Sequence, residues 1–333
     1  MLNFRLGDRG RPDVFGQEYD LIIVGGGPGG LSAALYAARS GLKTIMVDKG
    51  IPGGQMATTE RIENCPGCIE GSGAEIGEWM RRQATGFGAN WLNASVEAVR
   101  LLGDRKTVVI DQGELNSRAL IIATGSRPRH LGVPGEERFW GRGVSVCATC
   151  DGPFTQGQTV AVVGGGDSAL KEGDYLTRFA EKVIILHRRD ELRADRANQR
   201  RALANPKMEI RYNVVVERIV GDEEVRGVEI GDVTTGEVSE LPVNKVFVYI
   251  GMIPNTDLFR GQVELDEWGF IRTDNVMATS VPGVYAVGDV RAGAVRQIVT
   301  AAADGAVAAM SVDEYLSEHL DEEAYPSVSE PQW

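Results

Sequence analysis

Histidine and cysteine are both scarce: three of one and four of the other in 333 residues. His130, His187 and His319 stand apart from any serine or cysteine in a recognisable nucleophile motif, which sets acyl-transfer chemistry aside. No stretch approaches the roughly 18 consecutive apolar residues of a membrane span. The opening segment, MLNFRLGDRGRPDVFGQEYD, carries charges and a proline where a signal peptide has its apolar core. It reads as a short arm, and the chain is expected in the cytoplasm. Basic charge is scarce too. Lys and Arg number 35 against 47 Asp and Glu, and the net charge of −12 argues against nucleic acid or an anionic membrane as partner. No paired-carboxylate motif stands out among the acids. The hydrophobic fraction of 43% and charged fraction of 25% are ordinary for a globular chain whose length suits about two domains.

Glycine, by contrast, is plentiful and concentrated. YDLIIVGGGPGGLSAALYAARSGLKTIMVDKG starts with an apolar run suited to a strand buried on both faces. A glycine turn follows, then Leu31, Ala34, Leu35 and Ala38 at helical spacing, then a second strand ending in Asp48. Gly25 suits a tight turn, Gly27 a close approach of a pyrophosphate, and Gly30 close helix–strand packing. The helix N-terminus is placed for phosphates, and Asp48 for ribose hydroxyls. The unit recurs in QTVAVVGGGDSALKEGDYLTRFAEKVIILHRRDELRA, where Gly164, Gly166 and Ala169 match Gly25, Gly27 and Gly30. At the place of Asp48 stands His187, followed by Arg188 and Arg189, with Arg193 a turn further on. An acid there would repel a 2′-phosphate, whereas arginines pair with it through charge-assisted bonds, and His187 is grouped with this cluster. The first unit is thus expected to hold FAD or NAD, and the second NADP(H). Two dinucleotide sites in one chain imply electron transfer between a flavin and a nicotinamide.

All four cysteines fall in CxxC spacing, as Cys65–Cys68 in ENCPGCIEG and Cys147–Cys150 in VSVCATCDG. A shared metal site, two redox centres, or one redox centre and a bystander are the alternatives. Zinc ribbons separate their pairs by about 15–20 residues, whereas residues 69–146 separate these, which disfavours metal. Residues 117–136 and 244–259 are each a strand running into a turn, and the second nucleotide unit lies between them. The first domain therefore looks interrupted. After GVYAVGDV, an alanine-rich helix starting near Gln297 suits close packing against another element.

These pieces resemble the low-molecular-weight, bacterial-type thioredoxin reductases. The resemblance runs in order from about Tyr19 to Leu316, through GGGPGG, GGQ at 53–55, Asn64 with Pro-Gly, ATG at 123–125, CATCDG, GGGDSA, HRRDELRA, IPNT, GDV and Arg296-Gln297. It implies an α/β fold of two Rossmann-like, three-layer ββα domains, the second inserted into the first. Residues 1–127 and 255–333 would bind FAD, and 128–254 would bind NADPH and carry the redox CxxC. Gly25, Gly27, Gly30 and Asp48 would hold the adenosine diphosphate of FAD; Gln55, Asn64, Asp289, Arg296 and Gln297 would hold its ribityl chain and ring. Gly164, Gly166, Ser168, Arg188, Arg189 and Arg193 would hold NADPH. Hydride would pass from NADPH to FAD and on to the Cys147–Cys150 disulfide, which then reduces thioredoxin by dithiol exchange. Cys150 would face the flavin, Cys147 attack the substrate, and Asp151 carry the proton. A homodimer is implied, with the domains rotating about hinges near 127–130 and 252–256.

Two other flavoprotein readings compete. A ferredoxin–NADP reductase-like enzyme would leave the CATCD dithiol without a role, and a thioredoxin reductase fed by another donor would leave the three arginines without one. A flavin-only sensor would not explain the second nucleotide unit. Three places depart from the family. Val295 stands where tyrosine is common, Cys65 replaces an aromatic beside Asn64, and the tail runs on through Tyr325 to Trp333. The tail reads as an acidic extension, with stacking of Tyr325 or Trp333 on the flavin as the functional alternative. Cys65 and Cys68 read as small apolar replacements in a Pro-Gly turn, with an auxiliary disulfide as the sharper alternative.

Overall fold

The computed structural model describes residues 14–59, 62–68 and 71–319. The expectation about Tyr325 and Trp333 lies outside them. Strand β1 (Glu18–Val24) has Leu21, Ile22 and Ile23 fully buried, as a strand covered on both faces requires. Helix α1 (Pro28–Arg39) leads to β2 (Thr44–Asp48), and α2 (Gly73–Gly86) leads to β3 (Asn90–Asn93). Ser72 and Glu75 close the start of α2 with a reciprocal capping box. A meander follows: β4 (Val96–Arg100), β5 (Lys106–Ile110) and β6 (Gly113–Ile122). The order is β3-β2-β1-β6-β5-β4, parallel from β3 to β6 and antiparallel beyond. Period-two alternation divides the core. Ile22, Val24, Ile45 and Val47 pack toward the meander face, whereas Leu21, Ile23 and Met46 pack toward the helices.

The second unit repeats this plan. After β7 (Ser126–Pro128) come β8 (Val144–Ser145), the single-turn α3 (Ala148–Asp151), β9 (Thr159–Val163), α4 (Asp167–Leu176), β10 (Lys182–Leu186), α5 (Arg196–Ala204) and β11 (Met208–Arg211). An antiparallel layer, β12 (Val214–Gly221), β13 (Val225–Asp232) and β14 (Val238–Pro242), precedes β15 (Lys245–Val248). The parallel sheet runs β11-β10-β9-β15-β8. Ala161, Val163, Ile184 and Val246 face the antiparallel layer; Val160, Val162, Val183 and Phe247 face α4. Both units are therefore three-layered, sheet on sheet on helix.

The chain returns through β16 (Met252–Pro254), which pairs with β7. Strand β17 (Val284–Ala286) then joins the second half of β6 in parallel. Helix α6 (Ile298–Glu318) lies on α1 at very short range: a Cβ on Gly305 would stand 2.1 Å from Gly29 O. The alanine-rich sequence of α6 is what allows this approach.

Two compact units result, one from the described parts of Met1–Thr58, Ser72–Ser126 and Pro254–Trp333, the other from Thr59–Gly71 and Arg127–Ile253. The crossings fall one residue before those expected. Segment 59–71, expected with the first unit, groups with the second. It is an excursion with no described strand or helix to hold it to the first sheet, and it is closed by Ile62 N–H donating to Gly71 O at 3.1 Å.

Candidate active site

In the first unit the expected residues gather at the carboxyl ends of parallel strands. There β1 lies between β2 and β6, so its two neighbours connect in opposite directions, which is where open α/β sheets bind ligands. Gly25 has φ +112°, and a Cβ there would stand 2.3 Å from Ala123 O. A Cβ on Gly30 would stand 2.0 Å from Gly25 O, so turn and helix touch backbone to backbone. Gly27 differs: it is the N-cap of α1, makes no side-chain cap bond, and a Cβ there would meet nothing within 4 Å. With Pro28 following, this helix start offers amides and open space, which suits a pyrophosphate.

Asp48, at the end of β2, accepts Gly26 N–H and Gly50 N–H at 2.5 Å each. The carboxylate is thereby oriented, and each oxygen keeps a lone pair for a ribose hydroxyl. Gln55 lies exposed in the 3-10 turn Gly54–Thr58. Beyond β17, a second 3-10 turn, Gly288–Val290, carries Asp289. Burial raises its carboxyl pKa, Arg296 opposes that, and Asp304 adds to it. Asp304 accepts Gly288 N–H at 3.0 Å and pairs with Arg291 at 2.7 Å, locking this turn to α6. Arg296 holds φ +62°, strained for a residue with a side chain, with its guanidinium 5.3 Å from the Phe270 ring centroid. Gln297 is the N-cap of α6. Asn64 is exposed in the excursion 59–71 and is not among the residues the first unit gathers.

The second unit reproduces the cradle. Gly164 follows β9 at φ +150°, where a Cβ would stand 2.4 Å from Tyr249 O; Gly166 caps α4 over open space; Ser168 is exposed on its first turn. Asp167 is turned aside, accepting Asp195 N–H at 2.9 Å and the Asn198 amide at 2.5 Å, and these bonds lower its pKa. Arg188, Arg189 and Arg193 are exposed, and none forms an ion pair among the described residues. Their loop is tied to the glycine turn by Arg193 N–H donating to Gly165 O at 2.8 Å.

His187 corrects the sequence reading. It is buried beneath the turn, where a Cβ on Gly165 would stand 2.2 Å from its Nδ1, and Nε2 lies 2.9 Å from Glu191 O. Burial and the three arginines lower its pKa, so it supports the turn as a neutral ring and is not a phosphate cation.

Cys147 and Cys150 are joined as a disulfide across the start of α3. Cys147 Sγ accepts Cys150 N–H at 3.1 Å, and Cys147 N–H donates to Ser145 Oγ at 3.1 Å. Ser145 Oγ in turn donates to the Asp151 carboxylate. Ala148 N–H donates to Tyr249 Oη at 2.6 Å. Burial raises the Tyr249 pKa, as do the charges of Glu172 and Asp151, so the phenol stays protonated. Burial also raises that of Glu172. Ser145, Glu172 and Tyr249 went unnoticed in the sequence, because they sit on three separate elements with no fixed spacing to CATC. The other pair, Cys65 and Cys68, is free and lies in the excursion. Among the described residues no cluster of three or more metal-ligating side chains occurs, and no helix is long and apolar enough to cross a membrane.

Comparison with known proteins places the chain in a family. The family model described as pyridine nucleotide-disulphide oxidoreductase matches residues 19–305. The thioredoxin reductase of Peptoclostridium acidaminophilum is 44% identical over 311 residues, covering 91% of this chain and 99% of its own. That of Bacillus subtilis is 46% identical over 301 residues, covering 90% and 95%. The crystal structure of thioredoxin reductase from Streptococcus pyogenes superposes with a TM-score of 0.87 at 45% identity, covering 90% and 99%. With the family model matched over most of the chain and these relatives matched nearly end to end, the chain belongs to the pyridine nucleotide-disulphide oxidoreductase family, and within it to the thioredoxin reductases.

Proposed function

We propose that this chain is an NADPH-dependent thioredoxin reductase that uses FAD and acts as a cytoplasmic homodimer. The observation that carries the reading is the Cys147–Cys150 disulfide, one strand ahead of a glycine turn flanked by three exposed arginines. FAD and NADPH, when bound, supply the two-electron chemistry that reduces this disulfide. Gly25, Gly27, Gly30 and Asp48 fit the adenosine diphosphate of FAD, because the first and third glycines fill contacts a Cβ would break while the second leaves open space. Gln55, Asn64, Asp289, Arg296 and Gln297 are assigned to its ribityl and ring portion by the resemblance. Gly164, Gly166, Ser168, Arg188, Arg189 and Arg193 fit NADPH, the arginines taking the 2′-phosphate.

In the reduced pair, the Cys150 N–H directed at Cys147 Sγ favours the thiolate on Cys147. That thiolate attacks the thioredoxin disulfide and forms a mixed disulfide. Cys150 then attacks Cys147 Sγ, releasing reduced thioredoxin and restoring the Cys147–Cys150 bond. Asp151, oriented by Ser145, carries the proton to and from the leaving thiol. The connectors Ser126–Pro128 and Met252–Pro254 are where rotation of one unit against the other would be hinged.

The test is turnover with NADPH against NADH, using a panel of thioredoxins as acceptors, for the native protein and for Cys150→Ser. Fast NADPH-dependent reduction lost in the variant supports the reading; a wild-type rate in Cys150→Ser overturns it. Sedimentation of the holoenzyme checks the dimer, and a single-chain mass rejects it.

A further inference from the structure

Cys65 and Cys68 occupy the first and fourth positions of a tight turn. Cys68 N–H donates to Cys65 O at 3.0 Å, Pro66 takes the second position, and Gly67, at φ +89°, the third. Proline followed by a glycine of positive φ is the chemistry of a type II turn. Such a turn brings its first and fourth Cα atoms within about 7 Å, close to the roughly 4.4–6.8 Å spacing of a disulfide. The side chains follow the backbone: the Cys68 thiol is directed at Cys65 Sγ, with the sulfurs 3.7 Å apart and unbonded. That is non-bonded contact, and bond formation needs a shift of under two ångströms. Asn64, Pro66 and Gly67 around the pair are exposed, so a small reagent reaches it.

We propose that Cys65-Pro66-Gly67-Cys68 is a second redox-active dithiol, distinct from Cys147–Cys150, which exchanges with low-molecular-weight disulfides and closes to an intraloop disulfide. Cys68 attacks one sulfur of the disulfide RSSR and expels one thiolate, leaving a mixed disulfide on Cys68. Cys65 then attacks Cys68 Sγ, forms the Cys65–Cys68 bond and expels the second thiolate. Two electrons leave the cysteine pair, RSSR is reduced to two RSH, and the two cysteine protons end on the released thiols. Burial and the neighbouring Cys68 push the Cys65 thiol up to about 11, which makes Cys65 the resolving partner.

The proposal does not depend on the reductase reading, and its test removes the first pair. The flavin-bound Cys147→Ser/Cys150→Ser protein is exposed to oxidised glutathione, quenched with N-ethylmaleimide and weighed intact. The expected species has neither maleimide nor glutathione attached and has lost two hydrogens, and dithiothreitol restores two labelled thiols. Adding Cys65→Ser should trap a stable glutathione adduct on Cys68. Two maleimide additions after oxidation, or a glutathione adduct that persists with Cys65 in place, overturns the proposal. Peptide mapping of the unmutated protein under the same oxidant avoids any folding defect of the variants: a Cys65–Cys68 link is expected, and its absence is equally decisive.

Discussion

The Tyr249 hydroxyl accepts the Ala148 amide inside the Cys147–Cys150 loop, from a position just beyond β15. Removing that acceptor strands a buried donor, at a cost of about 1–3 kcal/mol. Tyr249→Phe is therefore expected to lower unfolding free energy by about that amount in urea titrations and to slow thioredoxin turnover, with flavin absorbance unchanged. A variant as stable and active as the parent would remove this residue from the account. Glu172 gives a pH signature. Its folded-state pKa is raised by burial, so the fold prefers the proton that the unfolded chain gives up first. Its favourable contribution is present below the unfolded carboxylate pKa of about 4.3 and is lost as pH rises through the folded value. Glu172→Gln should accordingly gain stability over the parent at pH 8, with a gain that shrinks toward pH 4.5. Unfolding midpoints across that range check it, and a gain that grows on acidification contradicts it.

At the scale of elements, the end of β10 is where the two glycine-turn units diverge. The equivalent strand in the first unit ends in Asp48, tied to Gly26 and Gly50. Here the chain continues into three arginines on a loop fastened to Gly165. A hydrogen bond to a charged group contributes about 1.5–3 kcal/mol, and 1.4 kcal/mol is a factor of about ten. Replacing Arg188, Arg189 and Arg193 by alanine should raise KM for NADPH by at least about 100-fold, with little change for NADH. Equal losses with both nucleotides would show a general folding effect instead. Much of this element was legible: glycine spacing, strand period and the exchange of acid for arginines are local signals. His187 was not, since its burial depends on which way the ring packs under Gly165, and nothing in HRRDELR specifies that. Ser145, Glu172 and Tyr249 were also unreadable, because hydrogen bonding and charge join three elements that sequence separation keeps apart. The small residues of α6 announced close packing, and Gly305 against Gly29 gives the partner.

At the scale of the molecule, two separately cored units predict separable stabilities. Each has its own sheet with apolar side chains on both faces. Urea unfolding should proceed in two transitions. A ligand at about 100 times its Kd stabilises the unit that binds it by about 2.7 kcal/mol. NADP+ should move only the transition of the second unit, and added FAD only that of the first, as followed by flavin fluorescence and far-ultraviolet dichroism. One cooperative transition shifted by either nucleotide would contradict this.

The sequence by itself determined the repeated strand–turn–helix units, the interruption of one by the other and the glycines of the two turns. Each of these is written in residues close together along the chain, where backbone geometry leaves few alternatives. Only the tertiary structure decided that segment 59–71 belongs with the second unit, that His187 is a buried neutral support, and that Tyr249 holds the redox loop. Those outcomes depend on which surfaces exclude water together, and that is settled by packing among residues far apart in the chain.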